Sequence, residues 1–273
     1  MRFAFALLAA ACVTAPAGKP PMQLAAKPPM QVVMIGDSTA APYGPERYPQ
    51  LGWAQVLPCA LDANVTVVDD AKGGRSTRSF QVEGWWEKAR DKLKPGDVLL
   101  IQFGHNDAAI DRPERYVSAR AGYMQNLELF VAAARERGAT PVLITPVTRR
   151  YWENGRITDM HGDYDDVVRE VAKATKTPLV DLDADSKAML MRIGEGPSED
   201  LYLHLPKGYS EYWKDGADDN THFSEKGARA VAQLVAARLA KLDTPLKGRV
   251  DAGAAALKPG FHAGGPACAT GYS

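Results

Sequence analysis

Five short apolar runs without polar alternation constrain the fold of this 273-residue chain more than any other sequence feature. They cover residues 32–35, 65–68, 98–103, 142–144 and 179–182. Strands of a parallel sheet have this pattern because helices cover both of their faces. The runs therefore predict five buried strands.

Segments of helical period separate these runs. In residues 115–137, apolar side chains recur at steps of three and four, and Gly138 follows as a stop signal. The segment after Ser224 repeats the pattern as far as Leu242. Alternating strands and helices predict an α/β fold, a three-layer α/β/α sandwich around a five-stranded parallel sheet. No repeat or second domain is evident, so residues 31–244 are interpreted as one domain.

The two ends of the chain differ from this central part. Residues 1–17 combine one arginine, a short apolar stretch and the motif Ala-Pro-Ala, which is typical of a signal peptide cleaved before Gly18. The chain is therefore expected to be secreted or periplasmic, with lipid attachment at Cys12 as a minor alternative. Residues 18–30 are interpreted as a lead-in and residues 245–273 as an irregular tail.

Cysteine content and net charge indicate which cross-link and which partners to expect. Cleavage would leave Cys59 and Cys268, which in an exported chain are candidates for one disulfide, with two free thiols as the alternative. The formal net charge is zero, which gives no electrostatic reason to expect nucleic acid or an anionic membrane as a partner. The apolar stretch of the leader is too short to span a bilayer, and we expect a monomer.

Four polar clusters lie where an open α/β sheet binds its ligands, in the loops beyond the carboxyl ends of the strands. GDSTA follows the first run, AKGGRSTRSF the second and GHNDA the third, and DGADDNTHF precedes the last helix. Each cluster alone has an ordinary explanation as a turn or a helix cap. Together they supply the groups that acyl transfer requires at one edge of the sheet.

The serine of the first cluster needs a base, because a hydroxyl is a weak nucleophile. Ser38 is the candidate nucleophile and His222 the candidate base. Asp219, three residues before His222, is the preferred partner for its Nδ1 atom, and Asp218 is the alternative.

Donors for a developing oxyanion are also available. The candidates are the backbone N–H groups of Ser38 and Gly74 and the side-chain amide of Asn106. Asp37 and Asp107 are expected to tie the loops together by hydrogen bonds.

These blocks resemble the SGNH, or GDSL-type, hydrolase superfamily, in the order Gly-Asp-Ser, Gly, Asn and Asp-x-x-His. More narrowly, GDSTA, KGGRSTRSF, FGHND and DNTHFSEKGA resemble the rhamnogalacturonan acetylesterases of carbohydrate esterase family twelve. The resemblance extends from about Gln31 to Leu242. It implies a flavodoxin-like sandwich, no cofactor, and a serine esterase that removes O-acetyl groups from pectic rhamnogalacturonan. It also implies the same roles for Ser38, Gly74, Asn106 and the Asp219–His222 pair.

Substrate contacts are expected around the same rim. Arg75 and Arg78 suit the carboxylates of a galacturonate-containing polymer, and Trp152 and Trp213 are candidates for stacking against sugars. Acetylated xylan and short acetylated oligosaccharides stay open as substrates. A non-catalytic carbohydrate-binding protein and a lipase or thioesterase are alternative functions.

Other chemistries have little support in the sequence. Neither a His-Glu-x-x-His motif nor paired Cys-x-x-Cys motifs occur, and the DGADD stretch lacks calcium-loop spacing. The sequence therefore predicts no metal site.

Overall fold

The structure is a computed structural model that describes residues 27–258 and Cys268. Its strands are β1 (Met30–Gly36), β2 (Val65–Asp69), β3 (Val98–Gln102), β4 (Thr140–Ile144), β5 (Trp152–Glu153), β6 (Arg156–Ile157), β7 (Leu179–Val180), β8 (Tyr202–Leu205) and β9 (Ala217–Phe223). Its α-helices are α1 (Trp53–Val56), α2 (Thr77–Val82), α3 (Trp85–Lys92), α4 (Met124–Glu136), α5 (Asp163–Thr175), α6 (Leu182–Ile193) and α7 (Glu225–Leu239). Short 3₁₀ helices cover Pro45–Arg47, Leu57–Ala60, Pro197–Leu201 and Ala255–Leu257.

The five predicted strands form one parallel sheet in the order β2-β1-β3-β4-β7. This finding confirms the predicted fold class, and the order is that of a flavodoxin-like sheet. The chain reverses its direction of winding between β1 and β3, which lie side by side in the sheet. Ligands of such sheets bind beyond the carboxyl ends of the strands at this point. The loops after β1 and β3 carry Ser38 and Asn106.

Alternate residues of the central strands pack against opposite helical layers, which explains the uninterrupted apolar runs. Val33 and Ile35 of β1 belong to a buried cluster that includes apolar residues of α2, α3, α4 and α5. Val32 and Met34 belong to a second cluster on the other face, with residues of α1, α6 and α7. Both faces of the sheet are therefore covered, as a three-layer sandwich requires.

Two predicted element ends are wrong. The last apolar run is not one strand, because β7 ends at Val180 and Leu182 begins α6. Asp181 separates them and caps the helix, its carboxylate accepting a hydrogen bond from the backbone N–H of Ala184. Phe103 lies just beyond β3, which ends at Gln102.

The helix predicted over 115–137 is shorter than its apolar period suggests. A π-helical turn, Ala119–Tyr123, leads into α4, which ends at Glu136. Residues 115–118 instead belong to the loop that follows Asn106. The apolar spacing therefore marks the buried face correctly but overestimates the length of the helix.

The tail is partly packed against the domain. Leu246 and Leu257 are fully buried in the cluster that contains α7, and Val250 forms an isolated bridge with Leu61. A disulfide joins Cys59 to Cys268 across 209 positions of the sequence. The predicted leader 1–17 lies outside the described residues, and none of the described helices is long and apolar enough to cross a membrane.

Candidate active site

A chain of two hydrogen bonds links Ser38, His222 and Asp219. The Oγ atom of Ser38 lies 2.8 Å from Nε2 of His222, and Nδ1 of His222 lies 2.7 Å from Oδ2 of Asp219. Both distances fall within the range that proton transfer between side chains requires. Ser38 starts the turn after β1, whereas Asp219 and His222 lie on β9, so the fold joins residues that are 184 positions apart.

The last polar cluster is part of a β-hairpin and is not the loop that the sequence suggested. Strand β9 pairs with β8, but the pairing jumps from Phe223 opposite Tyr202 to Asp219 opposite Leu203. The residues between them bulge, and bulges commonly redirect side chains beside active sites. This irregularity lets Asp219 and His222 meet although they lie three residues apart on one strand.

Hydrogen bonds hold the bulge in place. One carboxylate oxygen of Asp219 accepts the backbone N–H groups of Thr221 at 2.7 Å and His222 at 3.0 Å. The buried Arg150 donates to the side chain of Asn220 at 3.0 Å from a neighbouring loop. The orientation of His222 is therefore fixed from both sides of the bulge.

The surroundings of Asp219 favour the ionised form of its carboxylate. Burial alone would raise the pKa of Asp219, but the hydrogen bonds and charge of His222 and the backbone donors lower it to about 2. Asp219 therefore stays negatively charged at neutral pH and keeps the proton of His222 on Nδ1. Asp218, the alternative partner, is almost fully exposed and pairs with His204 at 3.0 Å.

The glycine cluster runs beside Ser38 and is hydrogen-bonded to the asparagine cluster. A Cβ atom placed on Gly73 would lie 3.7 Å from Cβ of Ser38, so this loop runs directly beside the serine. Gly74 has a φ of +76°, a conformation that residues with a side chain rarely adopt. The amide nitrogen of Asn106 donates to the carbonyl of Arg75 at 3.1 Å, which leaves its second N–H for another acceptor.

Two buried aspartates tie these loops to each other. Asp107 accepts the backbone N–H and the hydroxyl of Thr77, at 2.9 and 2.5 Å, which joins the third cluster to the second. Burial raises the pKa of Asp107 to about 7. Asp37 accepts hydrogen bonds from the backbone and hydroxyl of Thr39, at 3.0 and 2.9 Å, and so fixes the turn that carries Ser38.

His105 is a second histidine close to the nucleophile that was not predicted from the sequence. Its Nδ1 lies 2.9 Å from Oδ2 of Asp37, and both side chains are buried. Burial alone would raise the pKa of Asp37, but its contacts with His105 and Thr39 lower it. The position of His105 within GHNDA was the available signal, since this cluster follows the strand next to β1.

A cavity of about 410 Å³ opens beside Gly74. Its charged lining consists of Arg75, Arg78, Arg115, Glu83 and Glu114. Arg75 pairs with Glu83 at 2.9 Å, and Arg115 donates to Oδ1 of Asn106 at 3.3 Å. No ion pair joins Arg78 to another described residue, so its guanidinium group can receive an anion. Arg115 was not predicted as a site residue because it lies nine residues after Asn106, within an apparent helix.

The two tryptophans predicted to contact sugars have different surroundings. Trp152 lies on β5 and packs against the core cluster that contains α7, which favours a packing role. Trp213 lies on the loop between β8 and β9, donates to the carbonyl of Arg47 at 3.0 Å and contacts the ring of Tyr212. Tyr43 is a further aromatic residue near the site, and its hydroxyl donates to the carbonyl of Ser38 at 2.6 Å.

Comparison with known proteins identifies the family of the chain. The model of the GDSL-like Lipase/Acylhydrolase family matches residues 34–230. The rhamnogalacturonan acetylesterase RhgT of Bacillus subtilis is 41% identical over 222 residues, which cover 81% of this chain and 94% of RhgT. The probable rhamnogalacturonan acetylesterase YesY of the same organism is 38% identical over 215 residues, which cover 79% of this chain and 94% of YesY.

A solved structure has the same fold. The crystal structure of the protein YxiM from Bacillus subtilis superposes with a TM-score of 0.66 at 27% sequence identity. The match covers 77% of this chain and 56% of YxiM, so the present chain spans a little over half of that longer protein.

Proposed function

The chain belongs to the GDSL-like lipase/acylhydrolase family and is a carboxylic ester hydrolase, and we propose that it removes O-acetyl groups from rhamnogalacturonan through an acetyl-enzyme on Ser38. The observation that carries this proposal is the hydrogen-bonded chain from Ser38 through His222 to Asp219, with contacts of 2.8 and 2.7 Å. The resemblance to RhgT supports the choice of substrate.

The proposed reaction has two halves. The Oγ atom of Ser38 attacks the acetyl carbonyl while its proton moves to Nε2 of His222. The tetrahedral intermediate then collapses, the sugar oxygen leaves and takes that proton from His222, and the acetyl group stays on Ser38. A water molecule, deprotonated by the same imidazole, attacks the acetyl-enzyme, and the second intermediate releases acetate as the proton returns from Nε2 of His222 to Oγ of Ser38. The charge of Asp219 stabilises the imidazolium in both halves.

The oxyanion of each tetrahedral intermediate needs preorganised donors. We assign this role to the backbone N–H groups of Ser38 and Gly74 and to the amide of Asn106. The free N–H of Asn106, the close approach of the Gly73–Gly74 loop to Ser38 and the missing side chain at Gly74 support this assignment.

The lining of the cavity beside Gly74 favours an anionic carbohydrate substrate over a fatty acyl ester. A lipase or thioesterase would need an apolar channel next to the serine, whereas five of the eight residues that line this cavity are charged, three arginines and two glutamates. Galacturonate carries a carboxylate that a guanidinium group can bind with two parallel hydrogen bonds. Arg78, which has no carboxylate partner among the described residues, is the proposed contact, with Arg115 beside it. Trp213 and Tyr212 extend the proposed sugar-binding surface on the hairpin loop.

Export also belongs to the proposal, since a cell-wall polymer is encountered outside the cytoplasm. The leader-like composition of residues 1–17 and the disulfide between Cys59 and Cys268 support it. The N-terminal sequence of the exported chain should begin at Gly18. An exported chain that still begins at Met1 would contradict this part of the proposal.

We expect Ser38→Ala to lower kcat for p-nitrophenyl acetate by a factor on the order of 10⁴ or more, because the nucleophile is lost. Asn106→Ala should lower kcat by roughly 10²–10³, because one oxyanion donor is lost. The exposed Ser118→Ala is the matched control and should keep full activity. Thermal unfolding of each variant shows whether its fold is intact.

The same assay distinguishes the alternative functions. p-Nitrophenyl acetate should be cleaved faster than p-nitrophenyl butyrate or p-nitrophenyl octanoate. Preference for octanoate would support a lipase, and no cleavage of any ester by the wild type would support a binding protein. An active Ser38→Ala variant would refute the assignment of the nucleophile.

Arg78→Ala should raise KM for acetylated rhamnogalacturonan by roughly 3–10-fold, because an exposed charge-assisted contact is lost. The variant should have the same KM as the wild type for p-nitrophenyl acetate and for acetylated xylan, because neither substrate contains galacturonate. The control is Arg192→Ala, an exposed arginine on α6 outside the cavity. Equal effects on the pectic polymer and xylan would contradict a carboxylate contact, and faster acetate release from xylan by the wild type would favour an acetylxylan esterase.

A further inference from the structure

A second cluster of ionisable groups lies outside the proposed catalytic chain, where the polypeptide enters α5. It consists of Asp159, His161 and Asp165, each with one ligand-type atom within 4.8 Å of the others. It is the one such group of three or more within residues 27–258 and Cys268. Asp159 is exposed, whereas His161 and Asp165 are 3% and 2% exposed.

The buried members of this cluster lack hydrogen-bond partners. Neither carboxylate oxygen of Asp165 has a partner among the described residues, and neither does Nε2 of His161. A buried polar group without a partner costs about 1–3 kcal/mol, and more if it is charged. Two such oxygens on one buried carboxylate favour a cation bound beside Asp165, whereas Nε2 of His161 points away from Nδ1 and cannot bind the same ion.

The distance between His161 and Asp165 fits two ligands of one metal ion better than a direct hydrogen bond. Nδ1 of His161 lies 3.6 Å from Oδ2 of Asp165, which is too long for a hydrogen bond. Two ligands of a tetrahedral zinc ion, each at about 2.0–2.2 Å from the metal, lie roughly 3.4 Å apart. The separation is thus close to that of two ligands sharing one ion.

Lys187 is a cation next to this cluster, but its shortest ion pair is with Asp183. Its Nζ atom lies 2.8 Å from Oδ1 of Asp183 and 3.7 Å from Oδ1 of Asp159. It therefore compensates Asp183 first, although its charge also acts on Asp165 without a direct contact.

We propose that Asp159, His161 and Asp165 bind a divalent transition-metal ion, and that Zn²⁺ fits this ligand set best. An imidazole nitrogen suits zinc, whereas calcium and magnesium prefer sites made of oxygen ligands alone. A cavity of about 610 Å³, lined in part by Asp159 and His161, gives the ion access and leaves space for a water ligand. The sequence predicted no metal site because the spacing of these three residues matches no common zinc motif.

The ion would act on the structure of the proposed active site and takes no part in the acetyl transfer. The ring of His161 contacts the ring of His105, with centroids 4.5 Å apart and an interplanar angle of 82°. His105 in turn binds Asp37, the residue before Ser38. A metal ion on His161 would hold its ring against His105 and so stiffen the support beneath the nucleophile.

Isothermal titration of the full-length chain with ZnCl₂, after removal of metal by a chelator, tests this proposal. We expect one Zn²⁺ per wild-type chain, loss of binding in Asp165→Asn and His161→Gln, and binding weakened at least tenfold in Asp159→Asn. Asp163→Asn is the matched control, because Asp163 is an exposed carboxylate on the same segment that pairs with Arg120. The control should bind Zn²⁺ as the wild type does.

Several results would overturn the proposal. These are the absence of Zn²⁺ binding by the wild type, binding retained in the Asp165→Asn or His161→Gln variants, and Ca²⁺ or Mg²⁺ binding as tight as that of Zn²⁺. If a buried variant does not fold, as judged by circular dichroism, Asp159→Asn decides, since its side chain is exposed. The readout is binding, so it is independent of whether the chain cleaves acetyl esters.

Discussion

The contact between Oγ of Ser38 and Nε2 of His222 is the interaction on which the proposed chemistry depends. It joins the end of the first strand to the last hairpin, 184 residues later in the sequence. The parallel sheet makes this contact possible, because all five strands end at one edge and their loops converge there. The bulge in β9 completes it by turning His222 and Asp219 toward that edge.

Hydrogen bonds of buried polar groups link the loops of the proposed site. Asp37 connects the serine turn to His105, and Asp107 connects the asparagine loop to Thr77. Burying carboxylates is costly unless they are hydrogen-bonded, so these contacts constrain the loops strongly. The ring of His161 contacts the ring of His105 at one end of this network, and the proposed metal ion would bind there.

Much of the fold and of the proposed site followed from the sequence, for identifiable reasons. Apolar runs identified the five sheet strands because parallel strands are buried on both faces. They did not reveal that Leu182 starts a helix, since capping by Asp181 decides that end. The pairing of His222 with Asp219 was anticipated, but the strand bulge that produces it depends on pairing with β8. Arg115 was missed because it lies within an apparent helix, and His161 was missed because its spacing from Asp159 and Asp165 matches no common zinc motif.

Labelling with diethyl p-nitrophenyl phosphate measures whether His222 activates Ser38. The reagent phosphorylates a serine that a neighbouring base activates, releasing p-nitrophenolate. We expect one diethylphosphoryl group per chain, located on Ser38 by peptide mass spectrometry, and a rate of labelling that falls by orders of magnitude in His222→Ala. Labelling of another residue, or an unchanged rate at Ser38 in that variant, would contradict this expectation.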